Sequence, residues 1–133
     1  GIAQKSPLSV AYPSDSNRII IDKILEVTKH EEYFTNYCEQ KVMEYASEKN
    51  WNSQQTEIIL QSIIFEYYSG TVYNSYAFYS TQQLYQLLEI LNSLNQTKFA
   101  NTMILTNSVM QRNLDLFVEG LIQGKYVTDR KRK

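Results

Sequence analysis

The sequence predicts an all-α fold: a single compact bundle of about five helices with a long central helix. Three observations predict it. No proline follows Pro13, and beyond it only Gly70, Gly120 and Gly124 interrupt the chain, whereas a β-rich domain needs turn residues far more often. Apolar residues recur at steps of three and four, the spacing of one helix face. Serines that suit helix starts, Ser16, Ser53 and Ser80, precede three of the apolar runs.

The elements follow in order. Residues 1–15 read as an extended leader, and both prolines fall inside it. Ser16 is placed to cap a first helix over Asn17 to Thr28, with Ile20, Ile24 and Val27 on one stripe and Ile21 and Leu25 beside it. A second helix spans Glu31 to Lys49 on the stripe Phe34, Cys38, Val42, Tyr45. Asn50-Trp51-Asn52 is a break. Ser53 then caps a third helix, Gln54 to Phe78, with Glu57 near its positive end. Ser80 and Gln83 form a capping-box pattern, serine first and glutamine three residues on. It opens a fourth helix that carries Leu84, Leu87, Leu88 and Leu91. Ser93-Leu94-Asn95 reads as a tight connection, since Asn tolerates the left-handed conformation. The fifth helix, Gln96 to Gln123, keeps Phe99, Met103, Met110, Leu114, Phe117 and Leu121 on one face, and Gly124 stops it. The domain thus covers 16–124, with a basic tail over 125–133.

Composition narrows the function classes. The chain has 133 residues, 43% hydrophobic and 20% charged, which is globular composition. At this length about 68% of the unfolded chain's surface becomes buried, so a core needs no staple. The net charge is −1, so no global field gathers nucleic acid, and no nucleic-acid partner is expected. No apolar run approaches the ~18 residues of a transmembrane segment. Cys38 is the one cysteine, which rules out an intramolecular disulfide. The small, polar start Ile2-Ala3-Gln4-Lys5-Ser6-Pro7 fits the residues left when a signal peptide is removed. A cytoplasmic protein is the alternative.

The stretch from Tyr73 to Ile122 resembles the bacterial domain of unknown function 2059 family. The matching string is Tyr76, Tyr79, Ser80, Gln83, Leu84 and Leu87, then Ser93 and Lys98, then the closing helix to Ile122. The sequence departs from that pattern at Ile90-Leu91, Leu94 and Gln96, where the family favours an aromatic pair, proline and glycine. The resemblance implies a small helical protein, made with a signal peptide and exported to the periplasm or secreted. It implies no established enzymatic activity and no catalytic residue to carry over.

No catalytic constellation emerges from the residues themselves. His30 is the one histidine, and Glu31 and Glu32 beside it point in other directions on a helix. It reads as a helix-junction residue. Cys38 lies on an apolar stripe, where a thiol is buried and inert. Glu44 with Glu48, and Asp115 with Glu119, share helix faces at a step of four and read as solvated faces. No phosphate-binding glycine loop or dinucleotide fingerprint is present, and no cofactor or metal is expected. Arg130-Lys131-Arg132-Lys133 reads as a solvated basic end.

Tyrosine is the unusual component, at 11 residues, six of them (Tyr67, Tyr68, Tyr73, Tyr76, Tyr79, Tyr85) in the middle of the chain. The expected third helix carries two apolar stripes. Leu60, Ile63, Tyr67 and Phe78 form the first, with Gly70 at its edge. Ile58, Phe65, Val72, Tyr76 and Tyr79 form the second, nearly opposite. Such a helix is either sandwiched within the chain or offers one side to another molecule. Tyr68, Val72, Tyr76 and Tyr79 are therefore the candidate partner-binding residues, for a protein or peptide or for a second copy in a homo-oligomer. The leading expectation is a non-catalytic protein-binding or structural module of the bacterial cell envelope. A carrier of a small apolar ligand or lipid, and a hydrolase using carboxylates assembled by the fold, are the alternatives.

Overall fold

The computed structural model describes residues 11–95 and 106–128. It is all-α. The described residues form six α-helices: α1 (Asp15–Thr28), α2 (His30–Glu48), α3 (Ser53–Leu60), α4 (Ser69–Ser75), α5 (Thr81–Asn95) and α6 (Ser108–Ile122), with a 3-10 turn over Phe65–Tyr67. They fall into two compact units. One holds α1, α5 and α4 from Gly70 on; the other holds α2, α3, the 3-10 turn and α6.

In the first unit α1 packs on α5. Ile20, Ile21, Ile24 and Leu25 of α1 are buried, as are Leu84 and Leu91 of α5 and Val72, Tyr73 and Tyr76 at α4. Polar ties fix both ends of the pair. The Thr81 hydroxyl donates to Asn17 Oδ1 at 2.6 Å near the two N-termini. Asn95 Nδ2 donates to the Val27 carbonyl at 3.0 Å near the two C-termini. The helices therefore run in the same direction. Tyr73 joins α4 to α1: its hydroxyl donates to Asp22, and the Arg18 guanidinium lies 4.4 Å above its ring.

In the second unit the core stripe of α2 is Phe34, Cys38, Val42 and Ala46, all buried. Ala46 takes the place expected for Tyr45. Met110, Leu114, Phe117, Val118 and Leu121 face it from α6. Phe34 is the hub. Its ring centroid lies 5.3 Å from Phe65, 5.3 Å from Tyr68 and 5.4 Å from Phe117.

Three helix starts differ from expectation. Ser14, not Ser16, caps α1, its Oγ accepting from Asn17 N at 3.2 Å. Asn52, not Ser53, caps α3 through a reciprocal box: Gln55 N donates to Asn52 Oδ1 at 2.8 Å, and Asn52 N donates to Gln55 Oε1 at 3.1 Å. An Asn carbonyl caps as well as a Ser hydroxyl, so adjacent candidates cannot be ranked by type. The last helix begins at Ser108, with Asn107 Oδ1 accepting from Met110 N at 2.9 Å. Residues 96–105, with Lys98, Phe99 and Met103, lie outside the described residues, as do 1–10 of the leader and the Arg130–Lys133 run. The Ser80–Gln83 box forms as expected. α5 continues through Asn95, which is helical rather than a left-handed turn residue.

The long third helix, Gln54 to Phe78, is not observed. α3 ends at Leu60, Ile64 is extended (φ −126, ψ 121), and Gly70 falls in the first turn of the short α4. Two local causes act together. The Ser62 hydroxyl donates to the Ile59 carbonyl at 2.7 Å, offering that backbone an alternative to the helical ladder. Ile63 and Ile64 are β-branched, which disfavours helix.

Two C-termini share one device. After α2, Asn50 is left-handed (φ 57); Asn50 N donates to Ser47 O at 3.3 Å and Trp51 N to Ala46 O at 2.9 Å. After α6, Gly124 is left-handed (φ 79); Gly124 N donates to Leu121 O and Lys125 N to Gly120 O, both at 2.9 Å. Both are Schellman motifs. The first carries its apolar clasp, the Tyr45 and Trp51 rings edge to face at 5.3 Å. Gly120 lets the returning chain lie on α6, since a Cβ there would sit 3.0 Å from Tyr126 Cε2.

Two outcomes test these assignments. Gly124→Ala should cost at least ~1 kcal/mol. A Cβ there meets nothing within 4 Å, so the loss comes from backbone conformation alone and shows as a lower denaturation midpoint. Leu114→Asp, at a position 3% exposed, should lose several kcal/mol by burying an unpaired carboxylate. A melting temperature within about two degrees of the parent would contradict it.

Candidate functional site

The four expected partner-binding residues do not share one exposed face. Tyr68, Val72 and Tyr76 are buried, at 4%, 0% and 4% exposure, while Tyr79 keeps 43%. Tyr68 belongs to the second unit, where its ring stacks on Phe34 and its hydroxyl makes a 3.4 Å contact with the Met110 carbonyl. Val72, Tyr76 and Tyr79 belong to the first. The break after Leu60 dissolves the two stripes. Phe78, expected beside Leu60 and Ile63 on a core stripe, is 85% exposed.

Phe78 and Tyr79 stand in the short connection between α4 and α5. Tyr79 meets the buried Tyr76 ring edge to face at 5.7 Å. Tyr76 N donates to Tyr73 O at 3.0 Å and Tyr79 N to Tyr76 O at 3.1 Å, so tight turns continue past α4 to Ser80, where the capping box starts α5. The exposed aromatic pair therefore sits on a braced segment. Tyr85, 57% exposed, follows on α5. A wide depression of about 570 Å³ is lined by Thr81, Gln82, Tyr85, Gln86 and Glu89. All five come from α5, so the described residues wall it on one side only.

A second cluster, not anticipated from sequence, joins α2 to α6. The Tyr37 hydroxyl donates to Asp115 Oδ1 at 2.6 Å. Gln111 Nε2 donates to the Tyr37 oxygen at 3.0 Å and to Asp115 Oδ1 at 3.1 Å. Tyr33 makes a longer contact with Gln111 Oε1 at 3.5 Å. The signal in the sequence was a matching step of four on each helix, Tyr33 with Tyr37 and Gln111 with Asp115. The hydrogen bond to Asp115, with burial as a smaller cause, pushes the Tyr37 hydroxyl up to about 12. Tyr37 keeps its proton at neutral pH, and one Asp115 oxygen already accepts from two donors. The cluster is a helix-to-helix tie.

A groove of about 290 Å³ lies in the same unit, between α3 and the end of α6. Trp51, Ile58, Ile59 and Ile122 supply its apolar wall; Gln55 and Gln123 are exposed at its edge.

No family model, characterised protein or solved structure matches this chain.

The other candidate chemistry groups stay apart. Glu44 takes a 3.2 Å hydrogen bond from Gln40 and lies 3.8 Å from Lys41, all on α2. Glu48 and Glu119 are exposed. Among the described residues no three His, Cys, Asp or Glu side chains come close enough to hold a metal ion, and no helix is long and apolar enough to cross a membrane. His30 is buried, at 4% exposure.

Cys38 has no exposed surface. Burial, with Glu39 adding a smaller push, raises its thiol to about 12. At pH 8 roughly one molecule in ten thousand then carries a thiolate. Native protein should resist a thiol reagent at that pH and react promptly once denaturant is added. Rapid native labelling would contradict the burial of this stripe.

Proposed function

We propose that this chain is a non-catalytic helical module of the bacterial cell envelope, exported to the periplasm or beyond. In this reading Phe78 and Tyr79 present its contact surface to a protein or peptide partner. The observation that carries the reading is the exposure of Phe78 on a braced turn, next to a tyrosine anchored on the buried Tyr76. Single exposed apolar side chains are ordinary. An exposed aromatic ring in a turn, where polar residues usually stand, beside a second ring packed on the core, suits an interface anchor. Export is supported by the family resemblance of Tyr73 to Ile122.

The groove beside Trp51 favours a second reading, a small apolar ligand. Its size is at the lower end of small-ligand sites, which run from about 300 to 1,000 Å³. A space of about 290 Å³ also suits one or two side chains of a peptide partner.

A photo-crosslinking residue placed at position 78 should give a discrete adduct in an envelope fraction. The same residue at Ser47, exposed on the other unit, should not. With the adduct's partner purified, Phe78→Ser should weaken binding by about tenfold or more, as expected for an interface anchor, with melting unchanged. Equal binding by Phe78→Ser would remove this surface from the reading. The gene upstream of Ile2 should encode a basic and then apolar segment. A start codon a few residues before Ile2 would make the protein cytoplasmic.

A further inference from the structure

The chain holds one histidine, and the fold gives it an unusual place. His30 is the first residue of α2, directly after Lys29, whose backbone is left-handed at φ 52. Its ring is 4% exposed, and Nδ1 is buried with no hydrogen-bond partner. Two aromatic rings adjoin it: Tyr33, edge to face at 6.1 Å, and Phe65, tilted at 6.3 Å. Phe65 belongs to the segment from Gln61 to Tyr68, which joins α3 to α4 and lacks a continuous helical ladder. Its backbone is held by local bonds such as Tyr67 N to Ile64 O at 3.1 Å and Tyr68 N to Phe65 O at 2.9 Å.

Nothing at the site favours an imidazolium. Lys29, Glu31 and Glu32 are exposed on the flanking turn, Glu66 is exposed on the Gln61–Tyr68 segment, and so are Glu57 on α3 and Arg112, Asp115 and Glu119 on α6. Among the described residues no carboxylate pairs with the ring. Tyr33 is the titratable group in ring contact with it, and that contact is an edge rather than a hydrogen bond. The helix N-terminus is itself positive and opposes a second positive charge there. Burial accordingly lowers the His30 pKa below 6.5.

We propose that His30 is an acid-sensitive pin in the second unit. In mild acid it takes a proton from solvent, its ring leaves the contact with Tyr33 and Phe65, and the Gln61–Tyr68 segment loosens from Phe34. The direction follows from linkage. The unfolded or opened state binds the proton more readily than the closed state. The contribution of His30 to stability is therefore complete above about pH 6.5 and declines as pH falls from there toward the lowered native value. Glu and Asp residues add their own pH dependence at lower pH, so the comparison must be made against a variant lacking the imidazole.

Because the histidine is unique, its ring resonances can be followed by NMR in the intact chain without assignment ambiguity. The closed form should keep a neutral imidazole below pH 6.5. Between pH 7.5 and 5.5, amide protection at Phe34 and Tyr68, corrected for intrinsic exchange, should fall, by no more than about tenfold, the ceiling that linkage sets for one imidazole of ordinary pKa over that range. His30→Phe, which keeps the aromatic contacts, should hold its protection over the same range. Two results would overturn the proposal: an imidazole that titrates near 6.5 while the native spectrum is unchanged, or a His30→Phe protein that loses protection as the parent does. Should that variant fail to fold, the titration of the parent's ring decides alone.

Discussion

Phe34 is fully buried, and three other rings lie edge-on, stacked or tilted against it. Satisfying that ring constrains the second unit. Burying a side chain of this size contributes about 1.5–3 kcal/mol, and each well-placed aromatic pair adds about 0.5–1.5 kcal/mol. Phe117 arrives from α6 on an ordinary helical stripe. Phe65 and Tyr68 arrive from a segment that must turn to reach it. In a 3-10 turn residues three apart eclipse one another, so a turn over Phe65–Tyr67 aims Phe65 and Tyr68 the same way. Both then meet one ring at 5.3 Å. The irregular backbone between α3 and α4 is thus what the aromatic core requires.

The same segment shows where sequence reading stopped. The all-α class, the break at Asn50–Asn52, the α2 stripe through Phe34, Cys38 and Val42, the Ser80–Gln83 box and the Gly124 stop were legible because each rests on local chemistry. A proline-free run from Gln54 to Phe78 was also read locally, as one helix, and there the local reading failed. The clue was present in its two opposed apolar stripes. A straight helix apolar on both sides needs cover on both sides. The chain instead breaks after Leu60, and Ser62 and the Ile63-Ile64 pair make the break inexpensive. Which of two solutions a two-sided stripe adopts depends on partners distant in sequence, such as Phe34, which periodicity within the segment does not contain.

In the first unit the apolar stripes of α1 and α5 say that the helices pack but leave direction and register open. Ile and Leu pack in many registers. The hydrogen bonds from Thr81 to Asn17 and from Asn95 to the Val27 carbonyl do not tolerate a shift, because each joins one specific pair across the interface. Asn95 was legible as a turn former and serves as a tie. Its amide has a carbonyl to reach only because α1 and α5 end together, a fact of tertiary structure.

The tyrosines divide by environment in a way that bears on the exposed surface. Burial pushes Tyr68 and Tyr76 up to about 12, and the Asp115 hydrogen bond does the same for Tyr37. These three stay neutral across the physiological range, supplying ring area and, for Tyr37 and Tyr68, a hydroxyl with a partner. Most of the expected partner-binding set is accounted for in this way, since Tyr68 and Tyr76 are core residues and Val72 has no exposed surface. Phe78 is not. It has no hydroxyl to hydrate, it makes no ring contact among the described residues, and it is the most exposed large apolar side chain among them. A serine or asparagine would serve the turn as well or better. Under the proposed function, phenylalanine at that position supplies the ring that an apolar surface of a partner would cover, and the packing of Tyr79 on Tyr76 would hold the neighbouring ring in place beforehand.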